Sequence, residues 1–355
     1  MRVTSLTKRA VIALFTCSSP IVTGAAQSLQ PSTALLNSSR AIVLNSQTGK
    51  VYCVSPKAGA IVAFDQSVNS TSSVRVGDEP VAIAINEATD RIYVANNGSS
   101  SVTVLDGKND AVVDTVPVGP LPYVVAVNPA TNKIYVSNTF SNVITVIDGV
   151  THVTSAVKAG SADAVAVDSH RDRSYLAGYE DKDLLVLDRK PSVVGRVAVG
   201  MHPWAMAVDE STATLYVTRS GNAELAIVDE DSGSVTVTPT GAIPCAVAVN
   251  SVTHAVYVAN HGGNTVTVID GIKHAVVATV KVGERPQAIA VDSQRNQIYV
   301  VNTHSDNVTV IDGTQNSVVK TVHCAKNPYA LAISPLTGRV FVASLDDSPL
   351  TVLEP

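Results

Sequence analysis

Charge and aromatic rings are both scarce in this sequence: 15% of residues are charged and 4% aromatic, against 45% hydrophobic. So little charge with so much apolar content excludes a disordered chain, which needs the reverse balance. Cysteine is scarce too, with four in all, and the spacing of Cys17, Cys53, Cys245 and Cys324 lacks the framework of a disulfide-built protein. Past the N-terminus no apolar run approaches the length of a membrane helix, and no 3.6-residue periodicity persists long enough for an α-helix. Catalytic signatures are missing as well. There is no G-x-S-x-G elbow, no phosphate-cradling G-x-x-x-x-G-K and no C-x-x-C-H for haem, and no cofactor is expected.

The first residues do carry a pattern. Arg2, Lys8 and Arg9 precede a short apolar run, "AVIALF", and "VTGAAQS" then offers the small residues Gly24 and Ala26. That order reads as an export signal over residues 1–26, cut before Gln27, leaving residues 27–355 as a single domain in the periplasm or outside the cell. A lipoprotein signal would use Cys17, for which Phe15 and Thr16 are poor neighbours. Losing three cations moves the formal charge from −5 to about −8, which gives no general attraction to nucleic acid or anionic lipid. Cys53, Cys245 and Cys324 then remain, an odd number, so at least one thiol is unpaired.

What the sequence has in abundance is repetition. "KVYCVS", "RIYVAN", "KIYVSN", "RSYLAG", "TLYVTR", "AVYVAN", "QIYVVN" and "RVFVAS" align on Tyr52, Tyr93, Tyr135, Tyr175, Tyr216, Tyr257, Tyr299 and Phe341, at gaps of 40 to 42 residues. Around each anchor lie four short runs rich in Val, Ile and Thr, bounded by Gly, Asn, Asp or Pro: an "AIAVD" strand, the tyrosine strand, "VTVID" and "VVKTV" or their relatives. Four antiparallel strands in about 40 residues is the signature of a β-propeller blade. One blade cannot bury both its faces and needs a like-shaped neighbour on each side. Eight anchors predict eight blades, with seven blades plus a stray unit as the alternative. The last copy stops after its third strand, "PLTVLE", so an N-terminal strand, "STALL" at residues 32–36, is expected to complete it and close the ring. Repeated Asp-Gly pairs, such as Asp148-Gly149 and Asp312-Gly313, sit where hairpin turns belong rather than calcium loops.

The phrases "IYVAN", "VTVIDG" and "VGxxPxAIAV" resemble those of the YVTN-repeat β-propellers, including the YncE-like group, over residues 34–355. The resemblance implies a propeller fold. It also implies an exported or surface-associated protein, since that is where such relatives mostly work, some of them binding DNA. More distantly similar propellers include a lyase that opens macrocyclic lactone antibiotics, lactonases and subunits of redox enzymes, so the fold by itself licenses no activity.

Departures from the repeat locate the expected site. The position after the recurring proline, at the channel mouth, holds Arg40, Val81, Tyr123, Asp163, Trp204, Cys245, Gln287 and Tyr329. Of the six non-anchor aromatics after the signal, Tyr123, Phe140, Tyr179, Trp204 and Tyr329 fall in the channel-side loops, and only Phe64 falls in a strand. Large amphipathic rings gathered on one side suit a recognition surface. The expected binding face is therefore Tyr123, Trp204 and Tyr329, with Arg40, Asp163, Tyr179 and Arg219 around them, taking a small molecule or a protein partner as a monomer. The competing account has these rings seal blade contacts. His202, His261 and His304 are candidates for a metal, although none forms a tight motif such as His-x-x-x-His. As an enzyme, a lyase or lactonase, the protein would use His202 or His261 as base and Arg219 to steady an anion. Tyr123 and Trp204 could stack single-stranded bases, but the channel-side loops mix acids such as Asp78, Glu79 and Glu284 with bases such as Lys182 and Arg285. Such a field does not neutralise a row of phosphates.

Overall fold

A computed structural model describes residues 27–28, 42–138, 141–160, 162–344 and 350–354. In it the repeats become eight antiparallel four-stranded sheets. The blades span residues 42–75, 80–117, 122–158, 164–198, 203–239, 244–281 and 286–323, and the eighth holds Pro328–Ile333, Val340–Ser344 and Thr351–Leu353. Each innermost strand touches the innermost strand of the next blade, and Pro328–Ile333 of the eighth returns to Ile42–Leu44 of the first. This is a closed eight-bladed propeller, and the seven-blade alternative falls.

The ring is closed by an N-terminal strand, Gln27–Ser28, while the segment expected to do so, residues 32–36, lies outside the described residues. Gln27–Ser28 is the outer strand of the eighth blade, with Gln27 opposite Val352 and Ser28 opposite Thr351. An outermost strand needs only its backbone groups, so a polar Gln-Ser pair can supply it without the apolar signature that singled out "STALL". Residues 1–26, with the expected signal and Cys17, also lie outside the described residues. Among the described residues no helix is long and apolar enough to cross a membrane.

The anchors explain the inter-blade contact. All eight lie in the second strand of their blade and are the largest fully buried side chains of the molecule. Tyr52 Oη donates to the carbonyl of Gly107 at 3.1 Å, and Tyr216 Oη donates to that of Gly271 at 3.3 Å, each 55 residues on and in the following blade. The ring fills the space between two sheets while the hydroxyl satisfies a turn of the second. Phe341 has no hydroxyl to offer the equivalent turn of the first blade, residues 66–69. It meets Phe64 of the first blade at 5.8 Å instead, and Gln66, whose amide donates to the Gly49 carbonyl of its own blade, ties that seam by accepting from Thr337 Oγ1. Tyr52→Phe, which removes one hydroxyl that also donates to Asp110 Oδ1 at 2.8 Å, is expected to cost about 1 kcal/mol in urea unfolding.

On the face away from the channel-side loops, a buried Asn or Asp ends the inner strand in seven blades, with Ser334 in the eighth, and several of them reach the next blade. Asn45 donates to Asp90 at 2.7 Å, Asn86 to Asn132 at 2.7 Å and Asn250 to Asn296 at 2.8 Å, while Asp209 pairs with His254 Nδ1 at 2.8 Å. The receiving residues sit in left-handed backbone, φ 50–57°. The Asp-Gly turns are hairpin turns, as the sequence predicts: Asp148 Oδ1 accepts from the N–H of Val150 and Thr151 at 3.0 and 2.9 Å. Their glycines are required by close approach. A Cβ on Gly313 would come within 2.4 Å of Asn296 Oδ1 and 2.8 Å of Tyr257 Oη.

Candidate recognition site at the channel rim

Strand pairing puts the start of each inner strand beside the end of the tyrosine strand, as in Pro203 opposite Arg219 and Pro286 opposite Asn302. The loop entering a blade and the loop between its second and third strands therefore open on one face. In six copies the pairing slips just after the proline: at Pro80, Pro122, Pro203, Pro244, Pro286 and Pro328. The rim position is thus a bulge at the start of a strand, not a loop residue, because proline opens the strand and cannot donate to the ladder. Tyr123, Trp204 and Tyr329 accordingly belong to strands.

The bulge turns most rim side chains into the blade seams. Val81, Cys245, Gln287 and Tyr329 are buried, Tyr329 with only 7% of its surface exposed. Cys245 Sγ lies 3.1 Å from the Pro286 carbonyl of the next blade, and burial pushes its thiol up to about 12, which makes it unreactive. Tyr123, Asp163 and Trp204 are the half-buried exceptions, Tyr123 leaning on the apolar seam between the third and fourth blades and Trp204 on the seams of the fifth, sixth and seventh. Arg40 and Phe140 lie outside the described residues.

Around Trp204 the structure gathers more than a seal. Tyr179, from the second-to-third strand loop of the fourth blade, has its ring 4.7 Å from the imidazole of His202 and 5.2 Å from Trp204, edge-on at 73°. His202 enters the fifth blade in left-handed backbone, φ 57°. Asp163 holds the Tyr179 loop by accepting its N–H at 2.8 Å. Nearby Asp181 is pushed up by burial and by the Asp163 charge. Arg219 pairs with Glu224 at 2.8 Å and packs flat on Gly200, where a Cβ would lie 2.3 Å from the guanidinium. Among the described residues His202 Nδ1, Trp204 Nε1 and Arg219 Nε are buried without a hydrogen-bond partner.

Here the repeat is broken. Four other blades end the tyrosine strand in asparagine, Asn96, Asn138, Asn260 and Asn302, whose amides donate to the Ser or Thr of the third strand. Arg219 takes that place in the fifth blade, and Glu224 stands where Ser101, Thr265 and Asn307 begin the equivalent strand. Sequence reasoning singled out Arg219 but missed Glu224. Aligning the third strands would have found it.

The three histidines do not converge. His202 belongs to the Tyr179 cluster, whereas His304 Nε2 lies 3.4 Å from Arg285 Nη1. Burial lowers the His261 pKa, and the charges of Arg285 and His304 lower it further against a bond with the Pro286 backbone. Among the described residues no three of His, Cys, Asp or Glu lie close enough to hold a metal ion. An open groove of about 390 Å³ between the first two blades, lined by Arg75, Ser99 and Thr115, lies away from this cluster.

Eight four-stranded blades around one axis define the chain as a β-propeller. Residues 245–347 match the family model described as "YNCE-like beta-propeller", and with the eight-bladed ring this match supports a YncE-like propeller family. No curated protein matches the sequence. Among solved structures the chain is similar to Kuenenia stuttgartiensis hydrazine synthase, with a TM-score of 0.62 at 18% identity over 81% of this chain and 99% of that one. A streptogramin B lyase gives 0.60 at 14% identity, over 93% and 97% of the two chains. Sqt1 of Saccharomyces cerevisiae gives 0.78 at 8% identity, over 95% and 100%. Likenesses this remote show the fold alone.

Proposed function

We propose that this is an exported propeller that recognises a small molecule or a protein partner at the channel rim where the fourth and fifth blades meet. The observation that carries the reading is the Tyr179–His202–Trp204 cluster, three rings brought together across a seam at the one copy where the repeat replaces asparagine by arginine. Rings give contact area at low entropic cost, and Asp163, Arg219 and Glu224 supply polar neighbours to fix a ligand's orientation. Tyr123 extends the same rim on the third blade. Tyr329 is buried and contributes to the seam. Export follows from the N-terminal pattern of charge, apolar run and small residues.

His202 favours binding over chemistry. A general base is normally oriented by an acid or carbonyl on its second nitrogen, and among the described residues His202 Nδ1 has no partner. The test is calorimetric titration against small sugars, lactones, peptidoglycan fragments and oligonucleotides. One class should bind the parent protein and bind Tyr179→Ala at least tenfold more weakly. Equal binding by both proteins would place the site elsewhere. Product formation that His202→Ala abolishes without loss of binding would instead establish the lyase or lactonase reading.

A further inference from the structure

The seam between the fourth and fifth blades differs from the others on the opposite face too. In four other blades a polar residue in left-handed backbone, Asp90, Asn132, His254 or Asn296, faces a glycine whose N–H donates to its carbonyl: Gly107, Gly149, Gly271 or Gly313. In the fifth blade the same backbone bond joins Glu230 to Ala213 at 2.9 Å. The bulky polar group has moved from one position to the other. Ala213 is small where its counterparts are polar, although its φ of 54° suits alanine poorly. Glu230 fills the vacated space with 5% of its surface exposed, beside Asp168, which is fully buried at the end of its inner strand.

Neither carboxyl oxygen of Glu230 has a well-formed hydrogen bond among the described residues, and the one neutral donor beside it is the Tyr175 phenol, itself without a formed bond. Asp168 has formed bonds: its Oδ1 accepts the Arg171 N–H at 2.8 Å, and its Oδ2 lies 3.3 Å from the Arg171 guanidinium. Two buried carboxylates side by side are not a stable pair when one of them has no formed hydrogen bond, whereas one proton between them gives Glu230 the bond it lacks. We infer that Glu230 stays protonated at neutral pH, donates to Asp168, and replaces the Asn-type crosslink of the other seams by a shared proton. The surroundings agree. Blade four presents His170, Arg171, Arg173 and the Tyr175 phenol, and blade five presents Glu210, Asp229 and Asp231. Arg171 is divided between Asp168 and Asp231, Glu210 is taken by Ser169 and lies 3.7 Å from His170, and Arg173 donates to the Glu230 backbone carbonyl. Burial, then the Asp168 contact, pushes Glu230 up to about 9, while burial of Asp168 is outweighed by its bonds with Glu230 and Arg171, which hold it low.

The consequence is a pH dependence of one sign. The unfolded chain ionises Glu230 near pH 4.3, so above that pH unfolding releases a proton, and stability falls steadily until the folded group ionises near 9. The experiment measures urea unfolding from pH 5 to 9 in the parent and in Glu230→Gln, whose amide can donate to Asp168 without titrating. The unfolding constant of the parent should rise about tenfold more per pH unit than that of the variant. The double variant A213N/E230G rebuilds the arrangement of the other seams and should likewise lose that slope. Carbon-13 NMR of the carboxyls should show Glu230 unresponsive from pH 4 to 7. Parallel slopes in all three proteins, or a Glu230 signal that titrates with the exposed glutamates, would overturn the inference. It stands whether or not the rim binds a ligand.

Discussion

Tyr257→Ala is expected to destabilise the protein by about 3–5 kcal/mol, read as a lower urea midpoint at unchanged m-value. Tyr257 has no exposed surface and packs with Cys245, Val266 and Val268 of its own blade and with Ile289, Val300 and Ile311 of the next. Truncation therefore opens a cavity at a seam and loses contacts in two sheets at once. Its neighbours cannot collapse into the gap, because the strands that carry them are held in hydrogen-bonded four-stranded sheets. Truncating an outer-strand valine such as Val319, which is 54% exposed, should shift the midpoint by less than about 0.5 kcal/mol.

Trp204→Ala is expected to weaken ligand binding by about 30-fold or more, the 2 kcal/mol typical of a hot spot. The indole is half-buried, anchored below by two apolar seams and flanked above by Tyr179, so its exposed edge is rigid before any ligand arrives. Rigid aromatic area binds at little entropic cost. Tyr329→Ala should cost stability and leave affinity unchanged, since that ring is already covered by protein. The pair separates the two roles of a rim aromatic.

The fold was legible because it is written eight times. Any one copy of "IYVAN" is ambiguous, but anchors spaced 40 to 42 residues apart leave little besides a propeller. The closing strand was not legible. Gln27–Ser28 contributes backbone bonds at an edge, and no side-chain pattern marks such a role. The site was legible in part. Counting aromatics by face pointed to Tyr179 and Trp204, but the bulge after each proline, which buries Tyr329 and Cys245 while leaving Trp204 half open, is a matter of register that composition does not record. Shared position in consecutive copies places His202, His261 and His304 on one rim but does not record their spacing: His202 packs on Tyr179, whereas His261 feels the charges of Arg285 and His304. Glu230 shows what the repeat can reveal when two positions are read together: a missing side chain at Ala213 and an added one 17 residues later are a single substitution in space.

Trp204 is the only tryptophan, so its emission reports on the rim without labelling. Titrating the protein with whichever compound or partner binds in calorimetry should shift or quench that emission along the binding curve, and Tyr179→Ala should move both curves together. Saturable binding that leaves Trp204 emission unchanged would contradict a recognition site at the junction of the fourth and fifth blades.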